Sequence, residues 1–173
     1  VFNSGTSALH AAITAQGEPE YVVPVYSMSA SAAAVLHAGK KLILRDISDE
    51  YVLDGSHTSC VLVHLFGHHA TATRYYSVIH DCAQSPTLRP NPDRSDDIWV
   101  YSLNQHKVVD CGEGGYALTF SSDLAERMHL MRNHGESVSA HVLGYNFRMT
   151  EMQAAIARVE FRQLDERIKA HRI

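Results

Sequence analysis

The sequence predicts a three-layer α/β domain, a mainly parallel sheet with helices on both faces. Three observations carry this. Segments of helical and strand-like apolar spacing alternate from the first residue onward. Several of the strand segments are continuous apolar runs rather than alternating ones, the pattern of strands covered on both faces. The chain has 173 residues, 45% hydrophobic and 20% charged, so residues 1–173 fit one domain that can bury a substantial core.

Taken in order, Ser7 to Gln16 (SALHAAITAQ) reads as a helix stopped by Gly17. Tyr21–Val25 reads as a strand with Pro24 at its end, since proline cannot donate to a ladder. Ser29–His37 is alanine-rich and helical, with Gly39 placed to end it. Strands follow at Lys41–Ile47, Cys60–Phe66, Tyr75–Cys82, Ile98–Leu103 and Gly115–Phe120. Between two of them lies Ser85–Asp97, an irregular stretch holding three of the five prolines. Ser122–Asn133 gives a helix with Asp123 and Glu126 near its start. From Thr150 runs the longest helix, opened by a Thr150/Gln153 capping box. Met152, Ile156 and Val159 form one apolar row on it; Phe161, Leu164 and Ile168 form a second, so this helix bends or has two partners.

Composition narrows the function. A net charge of −4 with scattered basic residues gives no footprint for nucleic acid. No apolar run approaches the roughly 18–20 residues of a membrane span, and Val1-Phe2-Asn3-Ser4 does not open a signal peptide. Cys60, Cys82 and Cys111 are odd in number and lack CxxC spacing, which argues for a reducing, cytoplasmic setting. His64, His68, His69 and His80 invite a metal reading. Adjacent histidines on a strand point to opposite faces, however, and no HExxH or Cys/His spacing exists, so no metal site is expected. Trp99 and Tyr101 alternate along a strand as core residues. The Arg158, Arg162, Arg167, Arg172 series reads as a solvated helix face.

Three places carry chemistry. Asn3-Ser4-Gly5-Thr6-Ser7 sets a glycine and hydroxyls at a helix N-terminus, where free N–H groups and the helix dipole favour a phosphate; the plainer reading is a helix cap. Asp81 ends the strand segment YYSVIH, at the carboxyl edge where ligands of α/β sheets sit. It is either a desolvated carboxylate that needs a cation, such as a protonated pyridine nitrogen, or an ordinary turn residue. Lys107 is one of four lysines; Lys40, Lys41 and Lys169 read as solvated. Lys107 instead follows the apolar strand IWVYSL and can reach the same crevice, as a Schiff-base nucleophile or as a surface lysine. Phosphate cradle, Asp and Lys, each at a strand-to-helix junction and in that order, suit pyridoxal 5′-phosphate (PLP).

The ordered segments NSGTSALHAA, VPVYSMSASAAAVLHAGKKLILRDI, VHLFGH, VIHDCAQS, YSLNQHK, GEGGYALTF, RNHG and GYNFRMTEMQAAIARVEFRQLDE resemble the DegT/DnrJ/EryC1/StrS sugar aminotransferases of PLP fold type I. The resemblance covers nearly the whole chain. It implies that Gly5, Thr6 and Ser7 hold the cofactor phosphate, with Ser102 adding a contact. Asp81 would pair with the pyridinium nitrogen, Gln84 would sit near the ring hydroxyl, and Lys107 would be the Schiff-base lysine. Asn146 would reach the phosphate in a neighbouring subunit, which implies a homodimer with shared sites. The reaction implied moves an amino group from an amino acid, glutamate, to a nucleotide-linked keto-deoxysugar. A lysine at 107 favours this over the dehydration that relatives with histidine there perform.

Three departures from the family pattern stand out. Met28 occupies the place of an aromatic residue that stacks on the ring, with Tyr26 as an alternative. The stretch from Asp46 to His80 is short: Asp54–Thr58 replaces a helix, and Ala70–Arg74 leaves little room for another. The family's N-terminal segment and C-terminal small domain are missing, which leaves residues 1–173 as the PLP-binding large domain. These favour an alternative, a shortened and catalytically inactive relative that serves as a binding or assembly subunit. Glu113 and Arg148 could touch substrate or a dimer interface.

Overall fold

The structure, a computed structural model, describes residues 1–54, 59–136 and 143–171. Helix α1 (Gly5–Gln16) starts at Ser4, whose hydroxyl accepts from the Ser7 amide at 3.0 Å, and ends at Gly17, left-handed at φ 81°. Then come β1 (Glu20–Pro24), α2 (Ser29–His37), β2 (Lys41–Arg45), β3 (Val52–Asp54) and β4 (Ser59–Val63). A 3-10 turn at Leu65–Gly67 leads to β5 (Thr71–Thr73), β6 (Val78–Asp81), β7 (Ile98–Ser102) and β8 (Gly115–Leu118). The helices α3 (Ser122–Arg132), α4 (Glu151–Arg162) and α5 (Leu164–His171) complete the described chain.

Six strands form the main sheet in the order β2-β1-β4-β6-β7-β8. All neighbours pair in parallel except β8, which runs antiparallel to β7. Alternate side chains go to opposite faces. Tyr21, Val23, Val61, Val63, Ile79, Ile98 and Val100 share a core with α1, α2 and α3. Val22, Cys60, Leu62 and Val78 face the other way, under Leu53 and Tyr75; Cys82, Trp99 and Tyr101 continue that face. Burial on both faces is the reason these strands read as unbroken apolar runs.

Helix α1 is the centre of the first layer, packed on β6, β7 and β8 and flanked by α2 and α3. Its Ala8, Ala11, Ala12 and Ala15 are buried, and small side chains let it lie close to all three neighbours. On the second face, Phe161 at the end of α4 meets Tyr116 edge-on, and Ala157 packs with Leu103, Val109 and Cys111. Tyr101 donates to Leu88 O at 2.7 Å, tying the 85–97 loop to the sheet.

Every element anticipated from the sequence is present, with no end moved by more than three residues. The strand expected over Cys60–Phe66 stops at Val63, because Phe66 and Gly67 take left-handed conformations, φ 54° and 80°. The C-terminal helix bends into α4 and α5 around Gln163, with the Thr150/Gln153 capping box in place. Met152, Ile156 and Val159 on α4 are exposed, 77%, 50% and 51%, so this row faces away from the chain's own body. Arg167 departs from the solvated face expected of the arginine series: half-buried, it pairs with Glu160 and donates to Val108 O. Arg172 lies outside the described residues.

The two three-residue strands β3 and β5, paired in parallel, are not visible in the sequence, being too short to set up a period. Of Asp54–Thr58, Asp54 ends β3 and residues 55–58 lie outside the described ones. His68 and His69 are not on a strand, contrary to the sequence reading. They follow the 3-10 turn, where His68 packs on the Tyr51 ring and His69 lies edge-on to His64. The three cysteines are free and buried, packed as small apolar groups.

Beneath β5, a polar chain crosses the second face. The Ala70 amide donates to His64 Nδ1 at 3.1 Å, which places the His64 proton on Nε2. That nitrogen donates to His80 Nδ1 at 3.0 Å, leaving His80 Nε2 to donate to Asp97 Oδ2 at 3.2 Å. Arg94 grips Asp97 with Nε and Nη2, at 2.9 and 3.1 Å, and the Val78 amide donates to it at 2.9 Å. Burial alone would raise the Asp97 carboxyl, but these bonds outweigh it and hold the group below its ordinary range.

Candidate functional site

The parallel strands deliver their carboxyl ends to one edge of the sheet, beside the N-terminus of α1, as open α/β sheets do at their ligand crevice. A cavity of about 390 Å³ opens there, with Gly5, Thr6, Asp81, Gln84, Ser102 and Lys107 in its wall. Residues distant in sequence meet at this one place.

Two glycines permit the meeting. A Cβ on Gly5 would lie 3.0 Å from Ser102 Cβ, and one on Gly115 would lie 2.6 Å from Ser4 O and 2.7 Å from Gly5 N. Without side chains at both, the start of α1 presses against β7 and β8. Phe2 and Gly115 bridge the junction through paired backbone bonds of 2.8 and 3.0 Å. Among the described residues, the Gly5 and Thr6 amides have no acceptor, so two N–H groups and the Thr6 hydroxyl are offered to an anion in the cavity. Ser7 is not in the cavity wall. Its hydroxyl is 2.9 Å from that of Ser4, and its part is to complete the cap.

Asp81 is 4% exposed. Its Oδ2 accepts from Ser31 Oγ at 2.7 Å and its Oδ1 from the Ala83 amide at 3.1 Å. Burial pushes the carboxyl above its ordinary range, and the two hydrogen bonds and the charge of Lys107 pull it down without cancelling the shift. A cation delivered to this carboxylate would remove that penalty.

Lys107 sits half-buried on the loop after β7. Its amide donates to Asn104 O at 2.8 Å, and the loop is closed by Gln105 N to Gly112 O and Cys111 N to Leu103 O. Among the described residues no carboxylate is within ion-pair distance of its ammonium. The other lysines are engaged elsewhere or exposed: Lys40 donates to Gly17 O, Lys41 pairs with Glu20 at 2.9 Å, and Lys169 is exposed.

Gln84 Oε1 accepts from the Phe66 amide at 3.0 Å, which ties the 3-10 turn to the cavity rim. Met28 stands at the rim, 60% exposed, whereas Tyr26 leans towards Phe66 and is not in the cavity wall. Asn146 is exposed, and its carbonyl accepts from Asn3 Nδ2 at 3.2 Å. It does not line its own chain's cavity. Glu113 does, and accepts from Asn104 Nδ2 at 2.6 Å; Arg148 instead donates to Asn133 at 2.7 Å. Sequence reasoning missed Ser31 and His106. The signal for Ser31 is a hydroxyl on the buried face of a helix, beside Ala34 and Val35.

An anion cradle, a buried carboxylate that gains from a cation, and an unpaired lysine thus surround one space. They fit PLP, which carries a phosphate, a protonatable ring nitrogen and an aldehyde. Comparison with known proteins agrees: residues 1–173, the whole chain, match the DegT/DnrJ/EryC1/StrS aminotransferase family. The chain belongs to this family. It is 31% identical over 196 aligned positions to GDP-perosamine synthase of Caulobacter vibrioides, covering 97% of this chain and 53% of that protein. It is 32% identical over 189 positions to the UDP-N-acetyl-3-dehydro-alpha-D-glucosamine 3-aminotransferase of Acidithiobacillus ferrooxidans, covering 93% and 51%.

Among solved structures, Streptomyces venezuelae DesV in complex with a ketimine intermediate matches at TM-score 0.79 and 28% identity, over 95% of this chain and 52% of that one. NtdA of Bacillus subtilis with bound PMP matches at TM-score 0.81 and 25% identity, over 95% and 44%. The chain spans about half the length of the curated relatives it matches. Both alignments to those relatives, 196 and 189 positions, are longer than the 173-residue chain, so the relatives hold residues inside the matched region that this chain lacks. Among the described residues no helix is long and apolar enough to cross a membrane.

Proposed function

We propose that residues 1–173 form the cofactor-binding large domain of a cytoplasmic, PLP-dependent aminotransferase. Its donor is an amino acid, glutamate, and its acceptor a nucleotide-linked keto-deoxysugar. The observation that carries this reading is the convergence of Asp81 and Lys107 on the cavity that receives the free amides of α1. Bound PLP would supply an aldehyde for attachment of the substrate amine and a ring that takes up electrons when a Cα proton leaves.

The chain's own residues then have separate tasks. The Gly5 and Thr6 amides, the Thr6 hydroxyl and Ser102 hold the phosphate; Ser7 supports them through Ser4. Asp81, fixed by Ser31, would keep a proton on the ring nitrogen, and that cation would offset the burial of the carboxylate. Lys107 Nζ would hold the cofactor through its aldehyde and would be placed to carry the substrate proton as a general base and acid. Gln84 and Met28, both in the cavity wall, would contact the edge and the outer face of the ring. Asn146 points outward to a second subunit, and the exposed row Met152, Ile156 and Val159 gives that homodimer an apolar surface.

A second reading rests on the missing internal residues: a catalytically inactive relative that binds or assembles with partners. Absorbance with added PLP, before and after borohydride reduction, followed by peptide mapping, separates the two. Label fixed on Lys107 and absent from the Lys107→Ala protein supports the enzyme. No band, or label spread over Lys40, Lys41 and Lys169, transfers the case to the inactive relative.

A further inference from the structure

A second hollow, about 420 Å³, lies on the opposite face of the sheet and shares with the cofactor cavity one lining residue, His64. Its floor is the stacked pair His80 and Trp99, ring centroids 4.8 Å apart and 3° from parallel. Its walls carry Arg74, Arg89 and Arg94 against a single carboxylate, Asp97.

Asp97 has nothing left to offer a ligand's positive charge. It already accepts from Arg94 twice, from His80 and from the Val78 amide. Arg94 uses Nε and Nη2 for that grip, which leaves the N–H groups of Nη1. Arg89 has no carboxylate within ion-pair distance among the described residues, and Arg74 lines the same space with bonds of its own. A guanidinium fork and the free edge of a second one, in a hollow whose acid is already neutralised, match a group with several anionic oxygens. A carboxylate presents two oxygens in one plane; a phosphoryl group presents three around a tetrahedron and can take donors from both arginines.

We propose that this hollow binds a phosphoryl group, with Arg89 and Arg94 as its ligands, at a site separate from the cofactor cavity. The site would take a phosphate, a diphosphate or a phosphate monoester, and the proposal stands whether or not the cofactor reading does.

Trp99 is the only tryptophan in the chain, and it lines this hollow but not the cofactor cavity. Its fluorescence therefore reports on this site directly, and on the cofactor cavity only through the stacked His80 and His64. Titration with inorganic phosphate, and separately with pyrophosphate, should give a saturable change that sodium chloride at equal ionic strength does not reproduce. Arg89→Gln should weaken it about tenfold or more, the loss of one charge-assisted contact. The wild-type dependence on either anion should persist in Thr6→Val. No saturable change, an equal change with chloride, or an undiminished response in folded Arg89→Gln would overturn the proposal. So would a response lost in Thr6→Val but kept in Arg89→Gln, which would put the anion at the helix terminus. Saturation by pyrophosphate but not by phosphate would identify a diphosphate as the occupant.

Discussion

Ser31 Oγ donates to Asp81 Oδ2 at 2.7 Å, across 50 residues of sequence and from a helix whose other buried residues are Ala34 and Val35. Both residues are buried, 0% and 4% exposed. Among the described residues, the hydroxyl is one of two hydrogen bonds to the carboxylate on which the proposed chemistry turns.

Ser31→Ala removes that donor and leaves one oxygen of a buried carboxylate unsatisfied. The ionised form of Asp81 becomes harder to hold, so its pull on a protonated ring nitrogen weakens. Affinity for PLP should fall about tenfold, the scale of a hydrogen bond to a charged group. Absorbance titration of the variant with PLP reads this directly; unchanged affinity would mean that Asp81 does not meet the cofactor.

Gly115→Ala should cost about 2 kcal/mol in urea unfolding, because the new Cβ falls on Ser4 O and Gly5 N, backbone atoms that cannot step aside. The start of α1 would be levered off β8, and PLP affinity should fall with stability. Gly112→Ala is the comparison. Nothing lies within 4 Å of its Cβ position, but its φ is 83°, so it should cost only about 1 kcal/mol.

Acid should weaken the fold through His64. Burial first, and then the fields of His80, His69 and His68, push its imidazole down from 6.5 to about 3. Between those values the unfolded chain binds a proton that the folded chain refuses. Stability is therefore complete above the unfolded value and declines as pH falls through it, by up to about 1.4 kcal/mol per pH unit. Urea unfolding at about pH 7 and about pH 5 should show this decline, and His64→Gln should flatten it. An identical slope in the variant would assign the acid sensitivity to other groups.

Much of the architecture was legible because burial leaves a periodic trace. Strands covered on both faces read as apolar runs, and helices carried their caps at Ser4, Gly17 and Thr150. Thr6, Asp81 and Lys107 are each expected from the sequence at a strand-to-helix junction. They do meet in one cavity, but only Thr6 is at a helix start, since β6 and β7 lead through loops to the next strand and no helix follows Asp81 or Lys107 there. Short strands left no period, so β3 and β5 went unseen, and His68 and His69 were set on a strand that the left-handed Phe66 and Gly67 had already ended.

By itself, the sequence determined the fold class and the family, and it singled out the residues proposed to meet a phosphate, a ring nitrogen and an aldehyde. Those depend on local spacing and residue type, which the chain carries in order. Tertiary structure alone decided that Ser7 serves the cap rather than the cavity, that Ser31 holds Asp81, and that His64, His80 and Asp97 form one chain under a hollow lined by arginine. Each is a contact between side chains whose partners lie on different elements. Such contacts are set by how the elements pack, and no period in the sequence records them.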